Sequence, residues 1–382
     1  MIARDLNETC FCLPVAGTPL LASTHPLFLD RTVRQQLLDS IAAVGRALNT
    51  LAPRTPAIDA AALFNSFDFH LTADGPRLIE INVNAGGAFL QGLIRPGLLP
   101  AGAQALCNGQ PEPEFDPVMA ILDAWRAAKG ETPLNSLAIV DIDPAGQALY
   151  GDMLLARDQL HQLGITCQIL DIGDLRLEAG RLTGPDGVID MVYNRCTDFT
   201  LSNPGSASLR AAWQSGAALV APNPHTHAAF ADKSLLIGLS DLARQDRDAL
   251  ACILETRALD ASNADELWRR RREFVFKPRQ GYGSRGVYRG DKLSAQRWPE
   301  LVAGRYLAQA YAEPLPRTLP TSTGPRRFKS DIRVWTRGVR PLHMAARLYS
   351  GQVMGMKREA EGFAPIVWIT DDPATGDVHD PA

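Results

Sequence analysis

The chain has no apolar run approaching the length needed to cross a bilayer, no internal repeat and no low-complexity segment. It also lacks an excess of positive charge. Its 39 Lys and Arg against 42 Asp and Glu leave a net charge of -3 at pH 7, which gives no reason to expect nucleic acid or an anionic membrane as a partner. Cysteines are few and scattered, at 10, 12, 107, 167, 196 and 252. Only Cys10 and Cys12 are close, and Cys-x-Cys without a second pair is a poor zinc signal, so reduced structural thiols are expected. The opening Met-Ile-Ala-Arg-Asp-Leu-Asn-Glu carries acids where a secretory signal would have its apolar core, and a cytoplasmic protein is expected. What is present is ordinary globular composition, 46% hydrophobic and 21% charged over 382 residues, enough for two or three domains with a large core.

The most informative segment is Leu-Ile-Glu-Ile-Asn-Val-Asn-Ala-Gly-Gly at 78–87. A strand alternates its side chains between two faces, so Glu80 and Asn82 point one way while Ile79 and Ile81 point the other. One face can then hold a hard cation through oxygen ligands while the other packs into a core. The preceding Phe-Asn-Ser-Phe-Asp-Phe-His-Leu-Thr (64–72) alternates too and carries Asp68, with Asp74-Gly75-Pro76 between them as a turn signal. The pair reads as a β-hairpin presenting Asp68, Glu80 and Asn82. Parity decides whether they meet. A two-residue loop at Asp74-Gly75 would set Asp68 against Ile81 and aim it at the other face; an odd-length loop with Gly75 left-handed would bring all three together.

Elsewhere, apolar side chains at Val33, Leu37, Leu38, Ile41, Val44, Leu48 and Leu51 form a helical stripe behind Asp30 as N-cap. A Gly/Pro-rich loop (85–113) leads to a helix near 115–128, and Lys129-Gly130-Glu131-Thr132-Pro133 reads as a linker. Strands at 137–142, 166–172, 188–193 and 218–221 then alternate with helices near 145–163 and 206–216, which implies a small parallel α/β domain. Asp232-Lys233 opens a further helix, and one near 264–272 feeds the strand Glu273-Phe-Val-Phe-Lys277-Pro278.

Gly281-Tyr-Gly283-Ser-Arg-Gly286 matches Gly-x-Gly-x-x-Gly, but the dinucleotide reading needs a helix directly after it and an acid about 20 residues on. Here Val287-Tyr288-Arg289-Gly290 follows, which argues for a returning strand, and position 306 is a tyrosine. Gly-Lys-Ser/Thr, the Walker signature, is absent. What fits is a β-hairpin lid whose backbone amides cover phosphates, with Ser284 adding a hydroxyl and Lys277 standing at the end of the preceding strand.

Together these residues resemble the ATP-grasp superfamily, whose members join a carboxylic acid to an amine or thiol through an acylphosphate. The resemblance covers roughly 30–90 and 134–370. It implies an α/β (α+β) architecture in which two subdomains clamp ATP beside a small α/β domain. Asp-Lys-Ser (232–234) and Phe-Lys-Pro (276–278) match the two phosphate-binding lysines, making them Lys233 and Lys277. Gly281, Gly283, Ser284 and Gly286 match the lid, and Tyr-Leu-Ala-Gln-Ala-Tyr-Ala (306–312) the adenine-binding hinge, with Gln309 as its reader and Glu313 near the ribose. Lys-Ser-Asp-Ile-Arg-Val-Trp (329–335) and Ala-Ala-Arg-Leu (345–348) resemble the two arginine strands, so that Arg333 would bind phosphate or carboxylate and Arg347 would steady the transferring phosphoryl group. Asp68, Glu80 and Asn82 match the magnesium site. The order departs from the family: the metal strands come first, as in a circular permutation. The implied divisions are 1–130 (permuted metal-binding portion), 131–222 (small α/β domain), 223–315 (first subdomain with lid and hinge) and 316–382 (remainder of the second subdomain).

The implied function is an ATP- and magnesium-dependent ligase acting on a small carboxylic acid and an amine or thiol. A phosphotransferase and a nucleotide-binding module without turnover are the alternatives. Arg195, ending the third strand of the small domain, is a candidate substrate contact, since such folds bind ligands at strand ends. Arg270, Arg271 and Arg272 read as the wet face of a helix, and His225 and His227 as polar loop residues.

Overall fold

The amphipathic stripe at 31–51 needs a broad apolar partner, and the largest sheet supplies one. The structure, a computed structural model, describes residues 10–15, 18–23, 25–52, 55–94, 115–281, 285–351, 358 and 360–369. The helix Arg31–Leu51 starts where the Asp30 side chain accepts from the Thr32 amide. It buries Leu37, Ile41, Val44 and Leu48 against Phe67, Phe69, Ile81, Ile332, Val334 and Ala346. Those six are the inward alternates of four neighbouring strands.

Two antiparallel hairpins form the centre of this sheet. The first is Asn65–Thr72 with Gly75–Asn82; the second is Arg326–Arg337 with Arg340–Tyr349. Asn65–Thr72 pairs directly with Arg326–Arg337, placing Asp68 opposite Arg333. The sheet continues through Gly362–Ala364, Thr18–Ser23 and Cys10–Val15. Early and late segments of the chain therefore share one sheet, which brings 65–82 to the strands where the metal-binding reading needs it.

The hairpin solves its parity in an unexpected way. The turn is two residues long, Ala73-Asp74, with Thr72 opposite Gly75, and Gly75 takes the positive φ of 97°. That register alone would separate the polar residues. A bulge then intervenes: Phe69 faces Leu78 while Asp68 faces Glu80, so Ile79 is the extra residue. The odd-length loop is thus replaced by an even turn plus a bulge, with the same consequence for Asp68, Glu80 and Asn82.

Four parallel strands form the small domain, in the order Leu219–Ala221, Met191–Asn194, Ser136–Asp141, Thr166–Asp171. The helix expected from 145 begins at Tyr150, because Pro144–Gly146 makes a 3₁₀ turn first. The strand expected from 188 begins at Met191; residues 176–188 instead form a small three-stranded antiparallel sheet. A further sheet joins Thr256–Ala258, Tyr306–Ala310, Phe274–Pro278 and Tyr288–Arg289. Its last strand returns antiparallel beside Phe274–Pro278, as the residues after the glycines imply. Cys167, Cys196 and Cys252 are free and buried; Cys107 lies outside the described residues. Among the described residues no helix is long and apolar enough to cross a membrane.

Candidate functional site

The outward alternates of the two central hairpins make a polar sheet face. Asp68 has Glu80 opposite it on one side and Arg333 on the other. Asp331 stands between His70 and Arg347 in the same way. Cross-strand neighbours are close enough to pair, and they do. Arg333 donates Nε and Nη2 to Asp68 at 2.9 and 2.7 Å. Arg347 forks onto Asp331 at 2.7 and 2.9 Å and reaches Asp68 at 2.9 Å. Burial pushes the Asp68 carboxyl upward, but the two guanidiniums outweigh it and hold Asp68 well below the usual carboxylate range. Burial likewise opposes charge on Arg347, and Asp331 with Asp68 more than compensates. The side chains of this cluster are buried apart from a small part of Arg333, and forked, charge-assisted hydrogen bonds set its geometry.

His70 extends the same face. Its Nδ1 lies 2.6 Å from the Ala312 carbonyl, which can only accept, so Nδ1 carries the proton and Nε2 accepts from the Tyr349 hydroxyl at 3.1 Å. Burial lowers the imidazole pKa to about 4, keeping it neutral.

Facing this surface is the strand Phe274–Pro278. Lys277 donates to the Ile79 carbonyl at 2.7 Å and to Gln309 Oε1 at 2.8 Å. A bulge leaves ladder groups of the extra residue unpaired, and the lysine occupies the carbonyl it frees. Burial lowers Lys277 to about 8, against the opposing pull of Glu80. Because a lysine can only donate, Gln309 must turn its oxygen toward it; its Nε2 is buried without a partner. Lys233 bridges the two walls, 3.0 Å from the Gly281 carbonyl and 3.3 Å from Glu80 Oε1.

Between the walls lies a crevice of about 190 Å³. Glu80, Asn82, Lys233, Lys277, Gly281, Gln309, Arg333 and Arg347 all line it, and Asp68 sits directly behind, bonded to three of its side chains: Asn82, Arg333 and Arg347. Positions near 70–80 and near 230–290 therefore form opposite walls of one site. Asn82 turns its Nδ2 to Asp68 at 3.2 Å, which leaves its oxygen for other contacts. Gly286 is described, at φ 72° with the Tyr306 hydroxyl 3.0 Å from where a Cβ would be. Gly283 and Ser284 lie outside the described residues. Glu313 is exposed.

Arg195 stands away from the crevice. It is buried and bonds to Asn84 Oδ1 at 2.7 Å, the Asn84 carbonyl at 3.2 Å and the Tyr193 hydroxyl at 3.3 Å. It thereby fastens the loop after Asn82 to the small domain. Glycine at 86 lets the two approach without displacement, since a Cβ there would lie 2.6 Å from the guanidinium. Sequence reasoning did not single out His70, Asp331 or Tyr349, all lining the crevice. The signal was present: each lies two residues from a chosen residue on an alternating strand.

No family model matches the sequence, and no curated protein matches it. Solved structures do resemble the chain. One is a glutathione synthetase-like effector (GSS30) from Globodera pallida in its apo form, 11% identical, with a TM-score of 0.55 over 95% of this chain and 94% of that one. Another is a putative gamma-glutamylcysteine synthetase from Methylobacillus flagellatus KT, 12% identical, with a TM-score of 0.51 over 88% of this chain and 86% of that one. The architecture they share with this chain is the ATP-grasp fold.

Proposed function

We propose that this chain, with its ATP-grasp fold, is an ATP- and magnesium-dependent ligase that activates a carboxylic acid as an acylphosphate for attack by an amine. The observation that carries the reading is the convergence of both lysines, the hinge glutamine, both arginines and the Glu80-x-Asn82 pair on one crevice. Phosphoryl transfer is chiefly positioning and charge neutralisation, and these side chains supply both.

Lys233 and Lys277 would neutralise the nucleotide phosphates, and Lys277 has only carbonyl oxygens as its hydrogen-bond partners. The unpartnered Nε2 of Gln309 would donate to the base. Arg347 and Arg333 are forks matched to phosphate and carboxylate oxygens, already oriented by Asp68 and Asp331. Held between them, the substrate carboxylate would attack the γ-phosphorus and ADP would leave with the electron pair of the broken bond. The neutral amine would then add to the acyl carbon, phosphate would leave with the electron pair of the broken C–O bond, and the proton shed by the nitrogen would go to the departing phosphate.

The donor set fits magnesium, which takes one or two carboxylates with phosphates and waters completing its shell. Glu80 and Asn82 present oxygens to the crevice, and Asp68 is on the same face with both oxygens engaged by guanidiniums. These residues would hold the ion, which when bound neutralises charge on the transferring phosphates. The pairing of the first hairpin with Arg326–Arg337 supports a circularly permuted chain order. The Lys233 and Lys277 elements then come from the middle of the chain.

The test is release of ADP and phosphate with a panel of acids, with and without amines. Turnover that needs both acid and amine is the expected result. A phosphorylated compound accumulating without amine would make the protein a phosphotransferase, and nucleotide binding with no turnover a binding module.

A further inference from the structure

A second cleft, of about 500 Å³, adjoins the first at Gly281, which lines both. It lies where the small parallel sheet reverses its strand order. From Ser136–Asp141 the chain crosses to Thr166–Asp171 on one side, then returns to Met191–Asn194 on the other. In open α/β sheets ligands bind outside the carboxyl ends of the strands at such a switch point. Ile142 follows the first of those ends, and Thr197, Asp198 and Phe199 follow the second; all four line the cleft.

The two cavities differ in charge. The nucleotide crevice is lined by six cations, from Lys233 to Arg347, against Glu80 and Asp331. That wall suits both anions of the reaction, the triphosphate and the carboxylic acid. Among the described residues lining the second cleft, the charged ones are Asp198 and Asp232, with no lysine or arginine. Asp232 is neutralised by Arg279 at 3.0 Å. Asp198 is not: its oxygens accept from the Ser202 and Asn203 amides at 3.1 and 2.9 Å and from Ser206 Oγ at 2.7 Å. Those are neutral donors. They overcome the upward push of burial and hold the carboxyl below its usual range, so a full negative charge stays at the cleft with no counter-ion among the described residues.

His227 is the second, independent observation. It lines the cleft at 5% exposure, its ring stacks on Phe199 with centroids 4.5 Å apart, and neither ring nitrogen has a hydrogen-bond partner among the described residues. Buried polar groups are ordinarily satisfied, and an unpaired one is costly. Burial keeps this imidazole neutral, with its pKa lowered to about 4, so one nitrogen offers a lone pair to a donor.

We propose that the second cleft is the acceptor subsite and takes the ammonium end of an aliphatic diamine, with Asp198 as counter-ion and His227 as hydrogen-bond acceptor, while the other end, as the neutral amine, is the nucleophile. An uncompensated carboxylate attracts the ammonium group and disfavours amino acids whose own carboxylate would sit beside it. Gly281 then separates the amine from the phosphate site by the width of one residue. The word acceptor rests on the ligase reading; binding of a cationic amine does not.

The test is calorimetric titration of the full chain with 1,4-diaminobutane, with glutamate, and separately with magnesium-ADP. Asp198→Asn removes the charge. Because Asp198 also ties its own loop, Ala228→Lys is the second variant: Ala228 is an exposed lining residue on the helix Pro224–Phe230, and a lysine there adds positive charge at little cost to folding. Diaminobutane is expected to bind the native chain, to weaken tenfold or more in both variants, and glutamate to bind more weakly than diaminobutane; magnesium-ADP binding stays unchanged. Absence of diaminobutane binding, equal binding in Ala228→Lys, or a preference for glutamate would overturn the proposal. Diaminobutane binding without any magnesium-ADP binding would instead sink the ligase reading and leave the cleft assignment standing.

Discussion

Under the proposed function, Lys277 makes nucleotide binding a proton-uptake reaction. Its side chain is enclosed between Ile79 and Gln309, and burial lowers its pKa from 10.5 to about 8. A bound triphosphate would supply the negative charge the free site lacks and return the pKa toward its ordinary value. Restoring the ordinary value is worth ~3 kcal/mol of differential interaction. The sign follows directly. Below pH 8 the lysine is charged in both free and bound states, and affinity is flat. Above pH 8 the free protein must take up a proton to bind, so affinity falls by up to tenfold per pH unit until the bound-state pKa is reached. Titrating magnesium-ADP between pH 7 and 9.5, in buffers of differing ionisation enthalpy, reads both the affinity and the proton count. Uptake should approach one proton per nucleotide near pH 9. Lys277→Met should bind more weakly at pH 7 and lose the dependence. The same depressed pKa means that the unliganded protein gains stability as pH rises from about 8 toward 10.5, because the unfolded chain binds the extra proton there. Affinity independent of pH over this range, or net proton release, would refute the reasoning.

Glu80→Gln should leave the melting temperature unchanged, since the side chain lies at the crevice rather than in the core, while turnover falls about 100-fold or more; a variant with native turnover removes Glu80 from the metal site. Asp68→Asn takes away the carboxylate shared by Arg333 and Arg347, and urea melts should show a loss of about 3–5 kcal/mol. Gly86→Ala places a Cβ 2.4 Å from Leu149 and 2.6 Å from Arg195; both are side-chain ends that can move, so a loss of about 1–3 kcal/mol in the same melts is expected. Arg347→Lys keeps the charge but not the fork that bridges Asp331 and Asp68; single-turnover rates should fall about 100-fold while magnesium-ADP affinity holds.

How far the sequence discloses this site depends on whether the controlling signal is local. Alternation at 64–72 and 78–82 is local, and it places Asp68, Glu80 and Asn82 on strands whose apolar alternates, Phe67, Phe69 and Ile81, face the helix 31–51. The four parallel strands are legible for the same reason. The bulge at Ile79 is not, because it is set by a register between strands and by a lysine 198 positions away that takes the freed carbonyl. Arg195 shows the limit of position-based inference: the end of a parallel strand is a ligand-binding place in general, but this side chain is spent on Asn84 and Tyr193. Its neighbours at 197–199 line the cleft instead. His227 reads as a loop residue until the fold stacks it under Phe199.

The two walls of the nucleotide crevice hold their charges by different means, and that difference divides their work. Arg333 and Arg347 belong to one sheet face with Asp68 and Asp331, so each is neutralised and fixed before any ligand arrives. A ligand gains little from them electrostatically, since their field is already partly cancelled, but it meets donors whose orientation costs nothing further to set. The lysine wall is the reverse. Glu80 lies 3.3 Å from Lys233, and the hydrogen bonds of Lys277 go to neutral oxygens only. Two ammonium groups share that wall, and the charge on Lys233 disfavours the charge on Lys277. An incoming triphosphate relieves this deficit, so the lysines should dominate nucleotide affinity while the pre-set arginines act on the rate. A site with its cations all paired would bind weakly, and one with all of them unpaired would be costly to fold; placing the deficit on one wall avoids both.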